Sequence, residues 1–327
     1  MRNVLTFLLL LFSLLCNGQS PKLFTTDKEL SSSLINQIYQ DRNGFIWIAT
    51  EDGLNRYDGA KFTIYKHEPN NEHSLAHNFV RTVFEDSKGH LLIGTYIGIQ
   101  MYDPATDNFT PLAKLEDTGE TLESNINSFI ERKNGEIWVS GNVLCKLDIK
   151  DHLLTVRKVD IAVTSPGSLF EDKKQNVWMA KGEEGVYQLT PDNQLTLHLS
   201  KDNGYVKSIC EDQRGNIYVG SIRKGLFIYD KERKTFVPVD LKEKGELPVC
   251  FLYSGIPNEL YIGTDGKGVA IYNIRTHEIS EYKFDNNYFD SGNSKIHSIL
   301  KDNSGNLWLA VYQKGVILIP ARTNSFK

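Results

Sequence analysis

One short pattern recurs seven times along this chain of 327 residues, and it restricts the fold more than any other feature of the sequence. The first copy begins at Asp41, has Gly44 three residues later and Trp47 three further on, and continues into an apolar run. The residues equivalent to Trp47, here called the anchors, lie 45, 46, 40, 40, 43 and 47 residues apart. The anchors are Trp47, Leu92, Trp138, Trp178, Tyr218, Tyr261 and Trp308. A period of roughly 40–50 residues is typical of β-propellers, whose repeat is one four-stranded blade. The sequence therefore predicts an all-β fold, a seven-bladed β-propeller of four-stranded antiparallel blades.

Each repeat contains four segments with strand character. Apolar residues stand twelve and eight positions before the anchors, as in Ile35 and Tyr39, and mostly small hydroxylated residues such as Thr82 stand at minus ten. This spacing of two predicts the innermost strand of the blade. The second strand carries the anchor, a loop that usually contains Gly leads to the third, and a fourth follows. An aromatic anchor suits the space between blades, where its ring can pack on the next sheet and its N–H or O–H can find a partner.

The Asp-x-x-Gly element between the first two strands allows two interpretations, a cation loop or a turn. An EF-hand loop needs oxygen ligands at alternate positions and a bidentate Glu at position twelve. In the first repeat, Arg42 and Phe45 break that spacing, and position twelve is Asp52. A turn uses Asp first because its carboxylate accepts backbone N–H groups, and Gly last because it tolerates positive φ. We therefore interpret the Asp as a turn residue, present in five repeats. These residues are Asp41, Asp86, Asp172, Asp212 and Asp302.

The last repeat indicates how the ring closes. After its third strand, residues 315–320, the chain runs only to Lys327 and leaves little room for a fourth strand. A segment with the character of a fourth strand, residues 22–26, precedes the first repeat. We therefore predict that this N-terminal strand closes the last blade, which removes the exposed edges that an open stack would leave.

Residues 1–18 have the features of a signal peptide. Arg2 gives a positive start, and the apolar run from Val4 to Leu15 is too short to span a bilayer. An alternative is a lipoprotein with Cys16 as the acylated residue. No second apolar run follows, so we expect an exported, periplasmic protein with no transmembrane segment in the mature chain. Residues 19–327 are then the propeller.

Charge and cysteine content exclude several classes of protein. Without residues 1–18 there remain 36 basic and 41 acidic residues, a net charge of −5, and no basic cluster that would suggest a nucleic-acid partner. Cys145, Cys210 and Cys250 remain, and an odd, sparse count argues against a disulfide framework.

The repeats resemble a known family. INQIYQDRNGFIWIATEDGLNRYDG, which begins at Ile35, and IHSILKDNSGNLWLA, which begins at Ile296, are similar to the two-component regulator propeller repeat. The resemblance extends over about residues 20–320. Such repeats are found in the periplasmic sensor region of hybrid two-component system histidine kinases.

This resemblance implies a sensor of glycan breakdown products that controls polysaccharide utilisation genes. In that family, two propellers usually precede a sandwich domain, a membrane helix and the kinase. This chain has only the first propeller, and no kinase motif occurs in it, so we expect no enzyme activity here and transfer no kinase residue. It is expected to be either part of a longer sensor or a free-standing propeller.

Motifs for chemistry are sparse. No G-x-S-x-G, H-E-x-x-H, P-loop or Rossmann fingerprint occurs, and no cofactor is expected. His73 and His77 could form part of a metal site, but we interpret them as part of a solvated loop between blades 1 and 2 and predict no metal. Paired carboxylates near the axis could make a glycosidase or lyase. The candidates for such a pair are Glu51, Asp52, Glu183, Glu184 and Asp265.

The loops between second and third strands make a better binding site, because propellers carry function on loops held by a rigid ring. These loops and those joining successive blades open on one face. There, tyrosines could stack on sugars, and cations could hold carboxylate or sulfate groups. The predicted ligand-binding residues are Glu51, Asp52, Tyr96, Glu183, Arg223, Lys224, Asp265, Lys267, Tyr312 and Lys314.

Three functional hypotheses remain at this point. The first is a sensor whose ligand is an oligosaccharide. The second is a scaffold that binds another propeller or a second copy of itself, and the third is an exported glycan-active enzyme.

Overall fold

The fold is a ring of seven antiparallel sheets, as the repeats predict. The structure is a computed structural model and describes residues 20–199, 204–241, 247–284 and 287–321. The predicted signal peptide lies outside these residues. Each sheet is one blade, and its strands follow the chain from the axis outward.

Strand β1 (Lys22–Phe24) precedes the first blade. Blade 1 contains β2 (Ile35–Gln40), β3 (Ile46–Thr50), β4 (Gly53–Tyr57) and β5 (Phe62–Tyr65). Blade 2 contains β6 (Val80–Glu85), β7 (Leu91–Thr95), β8 (Ile99–Asp103) and β9 (Asn108–Phe109). Blade 3 contains β11 (Ser128–Glu131), β12 (Ile137–Ser140), β13 (Leu144–Lys150) and β14 (Leu153–Lys158). It has an additional outer strand, β10 (Lys114–Leu115), which pairs parallel with β14 and makes this sheet five-stranded rather than four-stranded.

The remaining blades follow the four-stranded plan. Blade 4 contains β15 (Ser168–Glu171), β16 (Val177–Lys181), β17 (Gly185–Leu189) and β18 (Leu195–Leu199). Blade 5 contains β19 (Val206–Glu211), β20 (Ile217–Ser221), β21 (Gly225–Asp230) and β22 (Thr235–Pro238). Blade 6 contains β23 (Val249–Ile256), β24 (Glu259–Thr264), β25 (Val269–Asn273) and β26 (Ile279–Glu281). A 3-10 helix (Ser291–Asn293) leads to blade 7, which contains β27 (Ile296–Lys301), β28 (Leu307–Val311) and β29 (Gly315–Ile319).

The predicted closure by the N-terminal strand is confirmed. Strand β1 is the fourth strand of blade 7 and pairs antiparallel with β29, with Phe24 opposite Val316. The Phe24 side chain is fully buried and stacks on Trp308 at a centroid distance of 5.8 Å. It also packs on Phe62 of blade 1 at 5.0 Å, so one ring joins the two ends of the propeller.

The anchors pack between blades, as predicted. All seven are buried, and each hydrophobic cluster combines strands of neighbouring blades. Trp47, for example, contacts Tyr102 of blade 2 at 4.9 Å, and Trp178 contacts Tyr229 of blade 5 at 5.0 Å. The core is therefore a set of inter-blade layers arranged around the axis.

The Asp-x-x-Gly element is a turn, but its Asp does more than the sequence indicates. One oxygen of Asp302 accepts the backbone N–H groups of Ser304 and Asn306, at 2.9 and 2.8 Å. The other accepts the indole N–H of Trp308 at 2.8 Å. Asp41 and Asp172 hold their anchor tryptophans in the same way. The carboxylate thus connects the turn to the inter-blade core.

Two blades lack this Asp and use a Glu placed two residues before the anchor. In blade 3, Glu136 accepts the indole N–H of Trp138 at 3.1 Å. In blade 6, Glu259 hydrogen-bonds Tyr261, and burial is the main cause that raises the pKa of this phenol. The polar end of the anchor therefore has an acidic partner even where the motif is absent.

The innermost strand departs from the predicted alternation. In five blades a β-bulge follows the first residue, as between Ile35 and Gln37. The bulge changes the phase, so the fully buried residues stand twelve and nine positions before the anchor. Ile35 and Ile38 are an example, whereas Tyr39 at minus eight is only half-buried. The prediction of strict period two through minus eight is therefore wrong, because one extra residue is inserted.

The small hydroxylated column at minus ten connects blades. The hydroxyl of Ser298 accepts the backbone N–H of Ile38 in the next blade at 3.1 Å, and Ser208 accepts that of Leu252 at 3.1 Å. These bonds hold neighbouring innermost strands at a fixed spacing around the axis.

Candidate functional site

The predicted loop face exists, and we call it the upper face. It consists of the loops joining second to third strands and the segments that enter each innermost strand. Backbone hydrogen bonds hold the two together: Tyr96 N–H donates to the Phe79 carbonyl, and Tyr312 N–H to the Lys295 carbonyl, both at 3.0 Å. Equivalent bonds occur in blades 1, 5 and 6, so these loops are rigidly placed.

All ten predicted ligand-binding residues lie in these second-to-third strand loops. The acidic ones are largely paired with cations. Asp52 lies 2.5 Å from Lys66, and Asp265 lies 2.7 Å from Lys295. Glu183 lies 3.5 Å from Arg223, so these two predicted residues form an ion pair with each other.

Glu184, a candidate for catalysis, lies in the same set of loops. A hydrogen bond from Lys181 lowers the pKa of its carboxyl, with a further bond from Tyr187. A general acid needs a raised pKa to carry a proton near neutral pH. The surroundings of Glu184 lower its pKa, which disfavours a role as general acid.

The upper face opens into a central cavity of about 350 Å³. Seven residues in one column, eleven positions before the anchors, line this cavity. They are Asn36, Arg81, Asn127, Gly167, Lys207, Cys250 and His297. In five blades this residue is the one inserted by the β-bulge. A bulge re-aims a side chain, which here brings the column to the axis. We call these seven residues the axial ring.

Two cations of the axial ring stand out. Arg81 is half-buried, and burial lowers the pKa of its guanidinium, which remains charged because arginine does not lose its proton in proteins. Within the described part of the chain, neither Arg81 nor Lys207 has an ion pair or a side-chain hydrogen bond. The Arg81 guanidinium lies over the Phe79 ring, 5.9 Å from its centroid, and the negative charge of Glu51 also acts on it.

His297 is the third basic member of the axial ring. Burial lowers the pKa of its imidazole to about 4, and the positive charges of Lys207 and Lys295 act in the same direction. The His297 imidazole is therefore neutral at pH 7 and can donate one hydrogen bond and accept another.

Three exposed tyrosines lie on the upper face, and one of them lines the cavity. Tyr205, with 43% of its surface exposed, lines the cavity itself. Tyr312 packs on His297 of the axial ring at 5.0 Å, and the more distant Tyr96 packs on Phe79 at 6.0 Å. An amphipathic ring that remains exposed beside a polar cavity can stack on a ligand.

The axial ring and Tyr205 are functional candidates that were not among the residues predicted from the sequence. The available signal was the column at minus eleven, which is polar or charged in five of the seven blades and changes from blade to blade, while the columns at minus twelve and minus nine stay apolar. A strict alternation assigns that column to a sheet face, and only the bulge directs it to the axis.

The loop that contains His73 and His77 has a structural role rather than the arrangement of a metal site. His73 Nδ1 lies 3.1 Å from the Phe109 carbonyl oxygen, and His77 Nδ1 accepts the Phe79 N–H at 2.9 Å. These contacts tie the loop between blades 1 and 2 to blade 2. Among the described residues no group of three His, Cys, Asp or Glu side chains is arranged to hold a metal.

The three cysteines that follow residue 18 are unpaired, and Cys145 and Cys250 are buried. Burial raises the pKa of the Cys145 thiol to about 11 and of the Cys210 thiol to about 12, so both are protonated and unreactive at neutral pH.

Two larger cavities lie away from the axis. One of about 720 Å³ lies between blades 6 and 7 near Pro21. The other, of about 700 Å³, lies between blades 2 and 3 near Leu153. The second forms where β10 leaves blade 2 to pair with blade 3. Neither cavity contains a residue of the axial ring.

Comparison with known proteins identifies the repeat. Residues 29–52, 74–96 and 200–223 match the model of the family described as two component regulator propeller. This chain contains two-component regulator propeller repeats. A segment of 83 residues is also 39% identical to histidine kinase P4 of Formosa agariphila, which is 23% of this chain but only 6% of that kinase.

Solved structures share the propeller fold. One is described as the extracellular domain of a hybrid two-component system from B. thetaiotaomicron, with a TM-score of 0.77 and 20% identity. The match includes 92% of this chain and 41% of that one, so the chain spans less than half of its length. A virginiamycin B lyase from Staphylococcus aureus matches over 91% of this chain and 99% of its own, with a TM-score of 0.68 and 13% identity. An extracellular domain of a two-component system and a lyase thus share this architecture.

In the described residues, no helix has the length and apolar character needed to cross a membrane.

Proposed function

We propose that this propeller is a periplasmic sensor domain of a two-component system and that it binds an oligosaccharide on the upper face, around the mouth of the axial cavity. One observation carries the proposal: exposed aromatic rings and unpaired polar groups converge at one place on a rigid face, in a chain built from two-component regulator propeller repeats. Sugars need such a combination, because they offer apolar ring faces for stacking and hydroxyl groups for hydrogen bonds.

The geometry around Tyr205 supports a sugar-stacking role. Gly182 lies beside this ring, and a Cβ atom built on Gly182 would stand 3.1 Å from Tyr205 Cε2. Glycine therefore leaves room for the ring in its present position. On the other side of the mouth, Tyr312 packs on His297 and also has the Lys295 ammonium over its ring at 5.7 Å. Both tyrosines are held in place before any ligand arrives, which reduces the entropic cost of binding.

In this proposal, the propeller itself is not an enzyme. Its upper face detects the glycan, and a histidine kinase elsewhere in the same system receives the signal. Residues 1–18 direct export, and residues 19–327 form the sensing domain. The shared fold with a lyase supplies no catalytic residue, because function follows from the site rather than from the fold.

Calorimetric titration with neutral, uronic and sulfated oligosaccharides tests the proposal. Tyr205→Ala and Tyr312→Ala should each weaken binding by tenfold or more. Tyr312→Ala should change the free energy of unfolding by less than about 1 kcal/mol, because the ring lies outside the core.

Tyr288→Ala is the matched control, since this tyrosine is exposed to 53% but lies by Pro21 and does not line the cavity. It should bind as the unmodified protein does. If no glycan binds and these variants instead weaken self-association, the propeller is a scaffold and the sensor proposal is wrong.

A further inference from the structure

The axial cavity has an excess of positive charge. On the surrounding loops, cations lie beside acids: Lys66 beside Asp52, Arg223 beside Glu183 and Lys295 beside Asp265. Inside the cavity, the lining contains Arg81 and Lys207 but no Asp or Glu among the residues that the structure describes. Both cations therefore line the same cavity, and the acid whose charge acts on Arg81, Glu51, lies on a loop outside the cavity lining.

Keeping such charges unpaired is costly. A half-buried guanidinium has lost part of its water shell, and a carboxylate partner normally compensates for that loss. Here no carboxylate among the described residues pairs directly with Arg81, and the chain supplies the Phe79 ring at 5.9 Å and the more remote charge of Glu51. The other polar members of the axial ring are uncharged. The side-chain amides of Asn36 and Asn127 donate to the carbonyls of neighbouring blades, which fixes their orientation.

We infer that the mouth of the axial cavity is an anion pocket, in which Arg81 and Lys207 hold the carboxylate or sulfate group of an acidic sugar while Tyr205 stacks on its ring. The identification of the carrier as a sugar rests on the function proposed above, whereas the anion pocket rests on the charges alone. Arg81 is the forked donor, whose parallel N–H groups match the two oxygens of a carboxylate or sulfate. Lys207 is a point charge that tolerates several positions of the anion.

The size of the cavity limits the ligand. About 350 Å³ lies at the lower end of the range of small-molecule pockets, so the cavity accepts an end unit of a glycan, and the rest of the chain lies across the upper face. The ligand class is therefore an oligosaccharide with a terminal uronate or sulfated residue.

The test uses the full propeller and pairs of probes that differ in charge only. Digalacturonate and its dimethyl ester form one pair, and inorganic sulfate reports on the pocket without any sugar. Digalacturonate should bind at least tenfold more tightly than the ester, with an affinity that falls as salt is added. Arg81→Met should remove that preference, and Arg81→Lys should restore part of it, because the charge returns without the fork.

Lys174→Met is the matched control for Lys207→Met. Both lysines are exposed and each change removes one positive charge, but Lys174 lies in the turn between β15 and β16, away from the upper face and outside the cavity. Only Lys207→Met should weaken binding of the acid. Without ligand, Arg81→Met should melt at the same or a higher temperature, because it removes a desolvated charge. A marked loss of stability would mean that Arg81 has a structural partner.

The outcomes separate this inference from the sensor proposal. If the acid and the ester bind equally, or Arg81→Met retains full affinity for the acid, the anion pocket is wrong and a neutral glycan site survives. If sulfate binds in an Arg81-dependent manner while every glycan fails, the pocket is right and the glycan sensor is wrong. If neither sulfate nor any acidic sugar binds, the anion pocket is refuted.

Discussion

The bond between Asp302 and Trp308 gives the sharpest test of how these blades hold together. Replacing Asp302 with Ala removes the acceptor of two turn amides and of the Asn306 side-chain N–H group at 2.9 Å. It also leaves the indole N–H of Trp308 without its acceptor in a side chain that is 98% buried. The turn amides can find water, but the indole cannot.

The expected loss in free energy of unfolding depends on these two environments, the exposed turn and the buried indole. A buried donor left unsatisfied costs about 1–3 kcal/mol, and each lost bond to a charged acceptor in the turn adds roughly 0.5–1.5 kcal/mol after replacement by water. We expect Asp302→Ala to lower the free energy of unfolding by about 3–5 kcal/mol. A turn aspartate alone would cost roughly 0.5–2 kcal/mol, which is the expectation from the sequence.

Urea unfolding followed by far-ultraviolet circular dichroism measures this loss. Asp230→Ala is the control, because Asp230 caps an exposed turn through the N–H groups of Glu232 and Arg233 and has no anchor partner. A double-mutant cycle with Trp308→Phe should give a coupling of about 1.5–3 kcal/mol. A coupling energy near zero, or a loss of stability for Asp302→Ala no larger than that for Asp230→Ala, would show that the bond to Trp308 does not stabilise the blade.

Three further predictions follow from the fold. Phe24→Ala should lower the free energy of unfolding by about 3–5 kcal/mol, because it leaves a cavity between blades 7 and 1. Lys22→Ala in the same strand should have little effect. If both variants have the same melting temperature, closure by strand β1 does not stabilise the ring. As pH falls from 6.5 toward 4, the unfolded chain takes up a proton on His297 before the folded chain does, since its folded pKa is about 4, so stability falls by about 1–2 kcal/mol after allowing for solvent screening. His297→Gln should flatten that part of the melting-temperature curve, and an unchanged slope would assign the acid sensitivity to other groups. A chelator should leave the melting temperature unchanged, because Asp302 and its equivalents already accept N–H groups; a calcium-dependent melt would restore the cation-loop interpretation.

Much of the fold could be predicted from the sequence because its information is local and repeated. The anchor spacing gives the blade number, the turn residues mark where the first strand ends, and the segment beginning at Lys22 matches the missing strand of the last blade. Each of these features depends on residues close together in sequence. Because the pattern occurs seven times, it is unlikely to arise by chance and can be recognised as the repeat of the fold. The structure confirms it in each blade.

The candidate site was predictable only in part, for the same reason. The upper face follows from strand order, so Tyr96 and Tyr312 were placed correctly on it. Which residues reach the axis depends on the bulge in the innermost strand, and no local pattern in a single repeat marks that insertion. Arg81 and Lys207 lie 126 residues apart in the sequence and share a cavity only because the ring closes.

The sequence by itself determined the number of blades, the order of their strands and the way in which the ring closes. Tertiary structure alone decided which side chains meet at the axis, which carboxylate holds which indole, and where blade 3 gains the strand β10. The physical reason is the range of the interactions. Turns and alternating strands are set by neighbours within a few residues, whereas charge pairing and cavity lining depend on residues that only closure of the propeller brings together.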